Sequence, residues 1–424
     1  MTDHAIHNEQ DKSKALSSYP KIAIIGGGLS GLFTAILLER KFAQHQYQNQ
    51  HSDLQITVFE KSRGVGRLAT RYRSDSVTGK NWQWSFGAQF FTAKTDSFQQ
   101  FIAPWLDSGL LQPWCAQVVN LSITNKSEQA PHIEPKEQWG TEQARYVSTP
   151  KMTSWGRALA DQLQQTKIQF QTRVAPLAQY ANPQAGQPTE LFDDNGESLG
   201  LFDWVVCTAP NVQTAELMAD SSFTEQAKIM QPKMRACYTL MLGWDEESKL
   251  PASLKSSSKR QDLKLWDVAH LQDSILAKIF VEHHKPNHEG LLPSVTIHAD
   301  NDWSEQQVDQ NIDEVTARLL AEAREALSWT EQTAPSQIDC HRWRYAATSM
   351  ALNDEDDEQP LGILIDKLLI YFFSELCLIS FLICQYLLIE ARAFPVFAYD
   401  SHCSDGELFF DPIILIKSPF FKKL

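Results

Sequence analysis

The sequence predicts an α/β fold of two interleaved domains, one built on a strand–turn–helix unit and the other on a mixed β-sheet. Three observations predict this fold. The chain has 424 residues, more than a single hydrophobic core usually serves. A glycine-rich turn separates an apolar strand from an amphipathic helix, starting at residue 26. Further short apolar strands recur along the chain, and hydrophobic residues make up 43% of it, as in globular proteins.

The first elements form a βαβ unit. KIAII at 21–25 is a β-branched apolar run that stops at three glycines, as a buried parallel strand does. The Gln/His/Asn-rich stretch 44–53 has no period and predicts a long loop, and LQITVFE at 54–60 predicts the second strand. Between the glycines and the loop, apolar side chains follow a helical spacing: Leu29, Leu32, Phe33, Ile36 and Leu37.

Apolar patterns also predict the later strands and a long helix. Apolar runs predict strands at 168–174, 203–210, 238–244 and 294–299. Residues 308–329 predict an amphipathic surface helix, because apolar side chains recur there at helical spacing among Glu and Arg.

Composition excludes several classes of protein. Lys and Arg number 38 against 52 Asp and Glu, a net charge of −14 without any basic run, so nucleic-acid binding is not expected. Seven cysteines show neither CxxC nor a metal-ligand spacing, which predicts a reducing, cytoplasmic location and no metal site. Residues 1–20 are polar, lack the apolar stretch of a secretory signal, and predict a disordered leader.

The glycine turn is a Rossmann-type GxGxxG motif. Gly26 permits a tight turn, Gly28 lets a pyrophosphate approach the backbone, and Gly31 lets helix and strand pack closely. The helix N-terminus beyond it offers N–H groups and a positive dipole end to phosphate. Glu60 ends the next strand, where a carboxylate can accept both hydroxyls of an adenosine ribose. The alternative is a glycine turn beside a surface glutamate, but the strand and helix on either side favour dinucleotide binding.

Two further segments favour FAD over NAD. A Gly/Arg-rich turn at 61–67 directly follows Glu60, and a second glycine-containing segment follows at 85–93. Such a turn adds backbone donors and guanidinium charge beside a pyrophosphate. An NAD dehydrogenase does not need this additional clamp.

Five segments together resemble bacterial renalase-type flavoproteins, within the FAD-dependent amine oxidase superfamily. The resemblance runs in order from about Lys21 to about Asp366. The segments that carry it are KSRGVGRLATRY (61–72), FGAQFFTA (86–93), VSTPKMTSWGRAL (147–159), IHADNDWS (297–304) and HRWRYA (341–346).

The resemblance implies non-covalent FAD and a renalase-like activity. In that family, isomers of NAD(P)H reduced at the wrong ring position give hydride to the flavin, and dioxygen then reoxidises it to release hydrogen peroxide. The resemblance also implies a discontinuous FAD-binding domain (21–95, 145–212 and 340–366), a substrate domain (96–144 and 213–339) and an atypical hydrophobic tail (367–424).

The resemblance also implies roles for individual residues. Gly87, Ala88 and Gln89 would pass close to the flavin ring, and Val174 would offer its backbone to the adenine. His298, Trp343 and Tyr345 would line the substrate face, where a flat substrate must stack with its donor carbon near the ring. For these three, the alternative is packing in the core or between the lobes. The residues implied around the pyrophosphate and ribose are Gly26, Gly28, Ser30, Gly31, Glu60, Lys61 and Arg67.

A second activity remains open, FAD-dependent oxidation of an amine. That chemistry commonly uses a lysine near the flavin, and the sequence does not identify such a lysine. In either case the expected partners are a small molecule, a reduced nicotinamide or an amine, and dioxygen.

Three departures from the family pattern affect these expectations. The turn Arg63–Arg67 is one glycine shorter than the usual R-G-x-G-G-R, and Trp84–Phe86 stand where an acidic residue is usual. After Asp366 the final strand, Gly-Asp pair and helix of the family are missing, so weak or absent FAD retention is expected. The tail is interpreted as the product of a shifted reading frame or a disrupted gene; the alternative is a membrane anchor at Leu368–Ile389, 22 residues with one charge. For the function, an intact oxidase, an inactive truncated homologue and a membrane-tethered flavoprotein stay open.

Overall fold

A computed structural model gives the fold of most of the chain. It describes residues 20–46, 54–64, 66–123, 131–142, 144–181, 188–221, 229–230, 233–255 and 266–349, together with the backbone of 414–417. The strands are β1 (Lys21–Ile25), β2 (Gln55–Phe59), β3 (Thr70–Ser74), β4 (Asn81–Ser85), β5 (Phe91–Thr92), β6 (Leu111–Pro113), β7 (Gln117–Ser122), β8 (His132–Gln138), β9 (Arg145–Ser148), β10 (Thr166–Gln169), β11 (Thr189–Phe192), β12 (Ser198–Phe202), β13 (Trp204–Cys207), β14 (Lys233–Gly243), β15 (Val268–Leu271), β16 (Leu276–Val281), β17 (Ser294–Ala299), β18 (Gln337–Ser349) and β19 (Ile414–Lys417). The helices are α1 (Leu29–Gln46), α2 (Asp96–Asp107), α3 (Met152–Asp161), α4 (Asn211–Leu217), α5 (Asn301–Gln306) and α6 (Ile312–Leu327).

The first sheet is the Rossmann-like one, with strand order β10-β2-β1-β13-β19. Its central strand β1 pairs in parallel with β2 on one side and β13 on the other. Ile24 is fully buried between Val58 and Val206, which explains why these strands read as continuous apolar runs. The α/β prediction is confirmed.

The edge of this sheet beyond β13 is occupied by a strand from the C-terminal tail. Residues 414–417 pair antiparallel with β13, from Trp204 opposite Lys417 to Cys207 opposite Ile414. The segment 368–389, considered above as an anchor, lies outside the described residues. Within the described part of the chain, no helix is both long and apolar enough to cross a bilayer.

The second sheet has seven strands in the order β18-β14-β17-β16-β15-β7-β8. Its inner side chains, among them Leu240, Leu242 and Ile297, pack with Leu319 of α6 into one fully buried cluster. Residues 340–349, which the sequence analysis groups with the FAD-binding domain, belong to β18 of this sheet. The physical reason is the long antiparallel pairing of β18 with β14.

Several element boundaries differ from the sequence predictions. Helix α1 continues through Gln46, so the start of the predicted loop 44–53 is helical. The strand predicted at 168–174 occupies Thr166–Gln169, because the chain turns at Gln171 with a positive φ of 54°. The strand predicted at 203–210 is shorter, and the one predicted at 238–244 begins earlier, at Lys233.

The predicted helix 308–329 begins later than its periodicity suggests. Asn311 caps its N-terminus by accepting a hydrogen bond from the Asp313 N–H at 2.8 Å. Val308 therefore lies before the helix. At the other end Ser328 adopts a left-handed conformation (φ 53°) that terminates it.

Candidate functional site: a dinucleotide cradle beside an aromatic wall

The glycine turn between β1 and α1 has no space for side chains at two of its positions. Gly26 has a φ of +114°, and a Cβ there would lie 2.6 Å from the Thr208 hydroxyl oxygen. A Cβ on Gly31 would lie only 1.9 Å from the Gly26 carbonyl oxygen. Strand and helix are thus packed as closely as the backbone allows, and the start of α1 is held at the end of β1.

Glu60 joins the glycine turn to the next turn. Its side chain is buried (7% exposed) at the end of β2. Its Oε2 accepts the Gly27 N–H and its Oε1 accepts the Ser62 N–H, both at 2.7 Å. Each carboxylate oxygen keeps acceptor capacity for a hydroxyl. Glu60 is therefore placed both to fix the two turns and to accept a ribose.

The glycine turn and the turn after Glu60 approach each other through the backbone atoms of Gly28 and Gly66, with no side chain between them. Gly66 has a φ of +56°, and a Cβ there would lie 3.0 Å from the Gly28 Cα. Side chains at either position would fill the gap between them. This pair of glycines is a cradle of the kind that a pyrophosphate requires, so the described residues fit the dinucleotide that the sequence predicts.

The other residues predicted around the phosphates hold the cradle in place. Ser30 is buried in the first turn of α1, and its carbonyl oxygen accepts the Thr34 hydroxyl at 2.7 Å. Lys61 Nζ donates to Gln213 Oε1 at 2.8 Å. Burial lowers the pKa of Lys61, and the charge of Glu60 opposes this shift.

Arg67 connects the cradle to the second sheet. Its guanidinium donates to the carbonyl of Ala346 on β18 at 3.0 Å, and its own carbonyl accepts the Ala88 N–H at 2.9 Å. A Cβ on Gly87 would lie 2.1 Å from the Arg67 carbonyl oxygen. The predicted ring-facing segment Gly87–Gln89 is therefore packed directly against the end of the cradle.

His298 lies beside this segment. The Gly87 backbone interacts with its ring and favours the protonated form, but burial and the charges of Lys278 and Lys285 lower the pKa of His298 to about 3. Its Nε2 is buried and has no hydrogen-bond partner among the described residues. Phe280 packs edge-on against the ring, with 5.2 Å between centroids. His298 is thus a neutral imidazole with an unused polar atom.

Trp343 forms an aromatic wall next to the same segment. Its indole Nε1 donates to the Phe86 carbonyl at 2.9 Å, and its ring stacks on Phe86 with centroids 5.4 Å apart. His341 packs edge-on against both rings. Tyr345 follows on β18 and is half-buried, and burial followed by the charge of Glu216 raises its pKa.

Val174 lies outside strand β10, contrary to its predicted place at a strand end. It is buried and forms an isolated antiparallel bridge with Asp193. The reason is the turn at Gln171, which ends β10 before it reaches this position. Val174 therefore reaches the neighbourhood of β2 from a loop, and a role beside the adenine stays a prediction.

The sequence analysis missed two buried lysines. Lys278 and Lys285 are 2% and 4% exposed, and both charges act on His298. Lys285 Nζ donates to Gln89 Oε1 at 2.6 Å and pairs with Glu282 at 2.9 Å. Lys285 follows EHH between two strands, which resembles an exposed polar loop, and Lys278 lies within the strand LAKIFV, where a lysine usually faces solvent, so residue type gives no signal of burial for either.

A cavity of about 730 Å³ lies between the β15–β16 turn and helices α5 and α6. Lys278, Asp300 and Glu322 are among its lining residues, and none of the predicted site residues lines it. Lys278 lies opposite His298 in the pairing of β16 with β17. The cavity therefore lies beside β16, the strand next to His298, and shares no lining residue with the predicted substrate face.

Solved structures with this fold include several oxidases. A protein assigned as protoporphyrinogen oxidase from Exiguobacterium sp. 255-15 matches with a TM-score of 0.58 and 13% identity, covering 84% of this chain and 92% of that one. Cyclohexylamine oxidase from Brevibacterium oxydans IH-35A matches with a TM-score of 0.53 and 11% identity, covering 76% and 84%. Putrescine oxidase bound to putrescine matches with a TM-score of 0.51 and 11% identity, also covering 76% and 84%.

Two family models match the sequence itself. The NAD(P)-binding Rossmann-like domain matches residues 24–104, which contain the glycine turn, Glu60 and the segment Gly87–Gln89. The flavin containing amine oxidoreductase model matches residues 126–363, more than half of the chain. This chain belongs to the family of flavin containing amine oxidoreductases.

Proposed function

We propose that this FAD-dependent oxidoreductase is renalase-like and oxidises dihydronicotinamide isomers. When bound, FAD would supply a two-electron acceptor through which a hydride from the substrate and one proton from solvent convert dioxygen to hydrogen peroxide and leave an oxidised nicotinamide. The single observation that carries the proposal is the neutral His298 beside Gly87, with its buried Nε2 unpartnered among the described residues. A carboxamide is a matching partner for such an atom.

The residues of the site act by binding and orientation. The wall of Phe86, His341 and Trp343 offers a flat aromatic surface on which a nicotinamide ring can stack. The hydrogen on the donor carbon leaves with both electrons of its bond, so this step needs no general acid or base and a histidine that stays neutral suffices. Trp343 is held in orientation by its hydrogen bond to Phe86.

The local charge favours this substrate over an amine. Lys278 and Lys285 both disfavour the protonated form of His298. The charge of Lys285 is balanced by Glu282, whereas the charge of Lys278, opposite His298, would repel an ammonium substrate but not a neutral dihydronicotinamide ring. Against this, putrescine oxidase and cyclohexylamine oxidase share the fold, and Lys278 and Lys285 are lysines of the kind that amine oxidation uses. Amine oxidation is therefore the second candidate.

The proposed division into domains follows from the function. FAD would be bound by residues 21–95 and 145–212, and the substrate by residues 96–144 and 213–339. The proposal moves residues 340–349 to the substrate side, because β18 pairs with β14. The segment 350–366 lies outside the described residues.

The direct test is substrate-dependent formation of hydrogen peroxide by the FAD-loaded chain. We expect turnover with NAD(P)H isomers reduced at the wrong ring position, and little with ordinary NADH or with amines. Release of ammonia and aldehyde from amines, without turnover of the isomers, would favour amine oxidation instead.

A further inference from the structure

A buried ion pair lies behind the segment Ser85–Gln89. The side chains of Glu282 and Lys285 are 0% and 2% exposed, and Lys285 Nζ lies 2.9 Å from Glu282 Oε2. Removing both charges from water is costly, and a buried pair of this kind is weak evidence for a role in stability alone. Its hydrogen bonds indicate a more specific role.

The pair closes a ring of hydrogen bonds around the segment. Glu282 Oε1 accepts the Ser85 N–H at 3.0 Å, which fixes the start of the segment. Lys285 Nζ donates to Gln89 Oε1 at 2.6 Å, which fixes its end. Gln89 Nε2 then donates to the Ser85 carbonyl, so the two ends are also joined to each other. The Lys285 ammonium lies 5.2 Å from the centroid of the Trp114 ring, a further cation–π contact.

The middle of the segment contacts the parts of the site that belong to other elements. The Phe86 carbonyl accepts the Trp343 indole, and the Ala88 N–H donates to Arg67. Gly87 faces His298. Gly87 packs on the Arg67 carbonyl, so a dinucleotide held in the Gly28–Gly66 cradle and extending past Arg67 would meet this segment next.

We propose that Glu282 and Lys285 are positioning residues that hold the Phe86–Ala88 backbone against bound FAD and whose opposite charges set its reduction potential. The inference depends on the proposed binding of FAD along this segment, but not on the identity of the substrate. Thr296 supports the carboxylate by donating its hydroxyl to Glu282 Oε1 at 2.6 Å. Burial lowers the pKa of Lys285, and the charge of Glu282 opposes that shift and helps to retain the ammonium form.

The test is a double-substitution cycle in the full-length chain loaded with FAD. The variants are Lys285→Met, Glu282→Gln and the combination of both. The measured quantity is the ratio of reduced to oxidised FAD at one fixed solution potential, set against a reference dye. Lys285→Met leaves an unbalanced negative charge and should lower the ratio by about fivefold, whereas Glu282→Gln should raise it by a similar factor. The double variant should return to within about twofold of the wild type.

If the two single substitutions only disturbed packing, they would not shift the ratio of reduced to oxidised FAD in opposite directions. Glu39→Gln is the matched control, because Glu39 accepts the backbone N–H groups of Gln164, Gln165 and Thr166. It should leave the ratio unchanged. Shifts in the same direction, no shift in either single variant, or a double variant that stays displaced would overturn the proposal.

A further variant covers the case in which a charge substitution prevents folding. Gln89→Met removes the hydrogen bonds of Gln89 to Lys285 and Ser85 without changing any charge. The Kd of FAD should then rise about tenfold. Unchanged FAD affinity would overturn the positioning role. If NAD(P)H isomers fail to reduce the wild-type flavin while the opposite shifts persist, the substrate proposal fails and this one stands.

Discussion

At the residue scale, Glu60 and His298 show what residue type and position predict. The sequence predicts Glu60 as a ribose acceptor because it ends the strand after GxGxxG. Its bonds to Gly27 and Ser62 depend on how two turns fold together, which the sequence does not show. The neutral state of His298 depends first on its burial and then on the charges of Lys278, within β16, and Lys285, in the turn that follows β16. Residue type and position therefore lead to candidate residues, whereas the electrostatics of these residues depend on contacts that the sequence does not show.

The Glu60 contacts lead to a prediction about FAD binding. In Glu60→Gln the amide NH₂ must face either the Gly27 or the Ser62 N–H, so one hydrogen bond becomes a donor–donor contact. We expect FAD to bind at least about tenfold more weakly and the chain to lose about 1–3 kcal/mol of unfolding free energy. Fluorescence titration with FAD and urea unfolding measure the two effects. Glu39→Gln should lower stability without changing the FAD affinity, and equal FAD affinity in Glu60→Gln and the wild type would contradict the assignment.

Two half-buried neutral histidines predict acid destabilisation. Burial lowers the pKa of His283 to about 4 and that of His298 to about 3, below the ordinary value of 6.5. Between each lowered pKa and 6.5, the unfolded chain binds more protons than the folded chain. The contribution of these histidines to the free energy of unfolding is therefore fully present at neutral pH and is lost as the pH drops below about 6.5. Each group should contribute a slope of up to about 1.4 kcal/mol per pH unit. Urea unfolding of His283→Gln from pH 7 to pH 4 should show a smaller slope than the wild type; parallel curves would contradict the burial argument.

At the element scale, the strands with clear apolar runs were the most predictable. The strands at 21–25 and 294–299 have the predicted bounds, because both are buried and end at glycines or at a helix cap. β18 has the sequence QIDCHRWRYAATS, without an apolar alternation, and it forms because it pairs along β14. Boundaries set by capping or by a partner strand, as at Asn311, depend on contacts that periodicity does not encode.

The contact between α1 and β1 can be tested with one methyl group. Gly31→Ala places a Cβ 1.9 Å from the Gly26 carbonyl, so the helix must move away from the strand. We expect a loss of about 1–3 kcal/mol of stability and of most FAD binding. Gly140→Ala is the control, because its Cβ meets nothing within 4 Å. If both variants melt and bind FAD alike, the close packing is not what the glycine motif provides.

At the scale of the whole molecule, the predicted site lies where two sheets meet. The glycine turn and Glu60 come from the first sheet, whereas His298 and Trp343 come from the second. The segment Ser85–Gln89 connects them through Arg67 and Trp343. The sequence analysis expected these residues to converge because of the resemblance, but it gave no indication that a tail strand would pair with β13.

The tail leads to a prediction about the holoprotein. The resemblance to renalase-type flavoproteins leads us to expect that the Gly-Asp pair and final helix are missing, and the described part of the tail consists of β19, paired antiparallel with β13. We expect the full-length chain to be purified with less than one FAD per chain and to gain flavin on incubation with excess FAD. The ratio of visible flavin absorbance to protein measures this. One tightly bound FAD per chain would contradict it and would mean that the tail completes the cofactor site.

The most direct test of the account is reduction of the bound flavin without oxygen. The FAD-loaded chain is mixed anaerobically with an NAD(P)H isomer reduced at the wrong ring position, and the visible flavin absorbance is followed with time. The account predicts rapid bleaching by the isomer, recovery of the absorbance on admitting air, and slower bleaching in Trp343→Ala. Bleaching by an amine, with none by any dihydronicotinamide isomer, would contradict it.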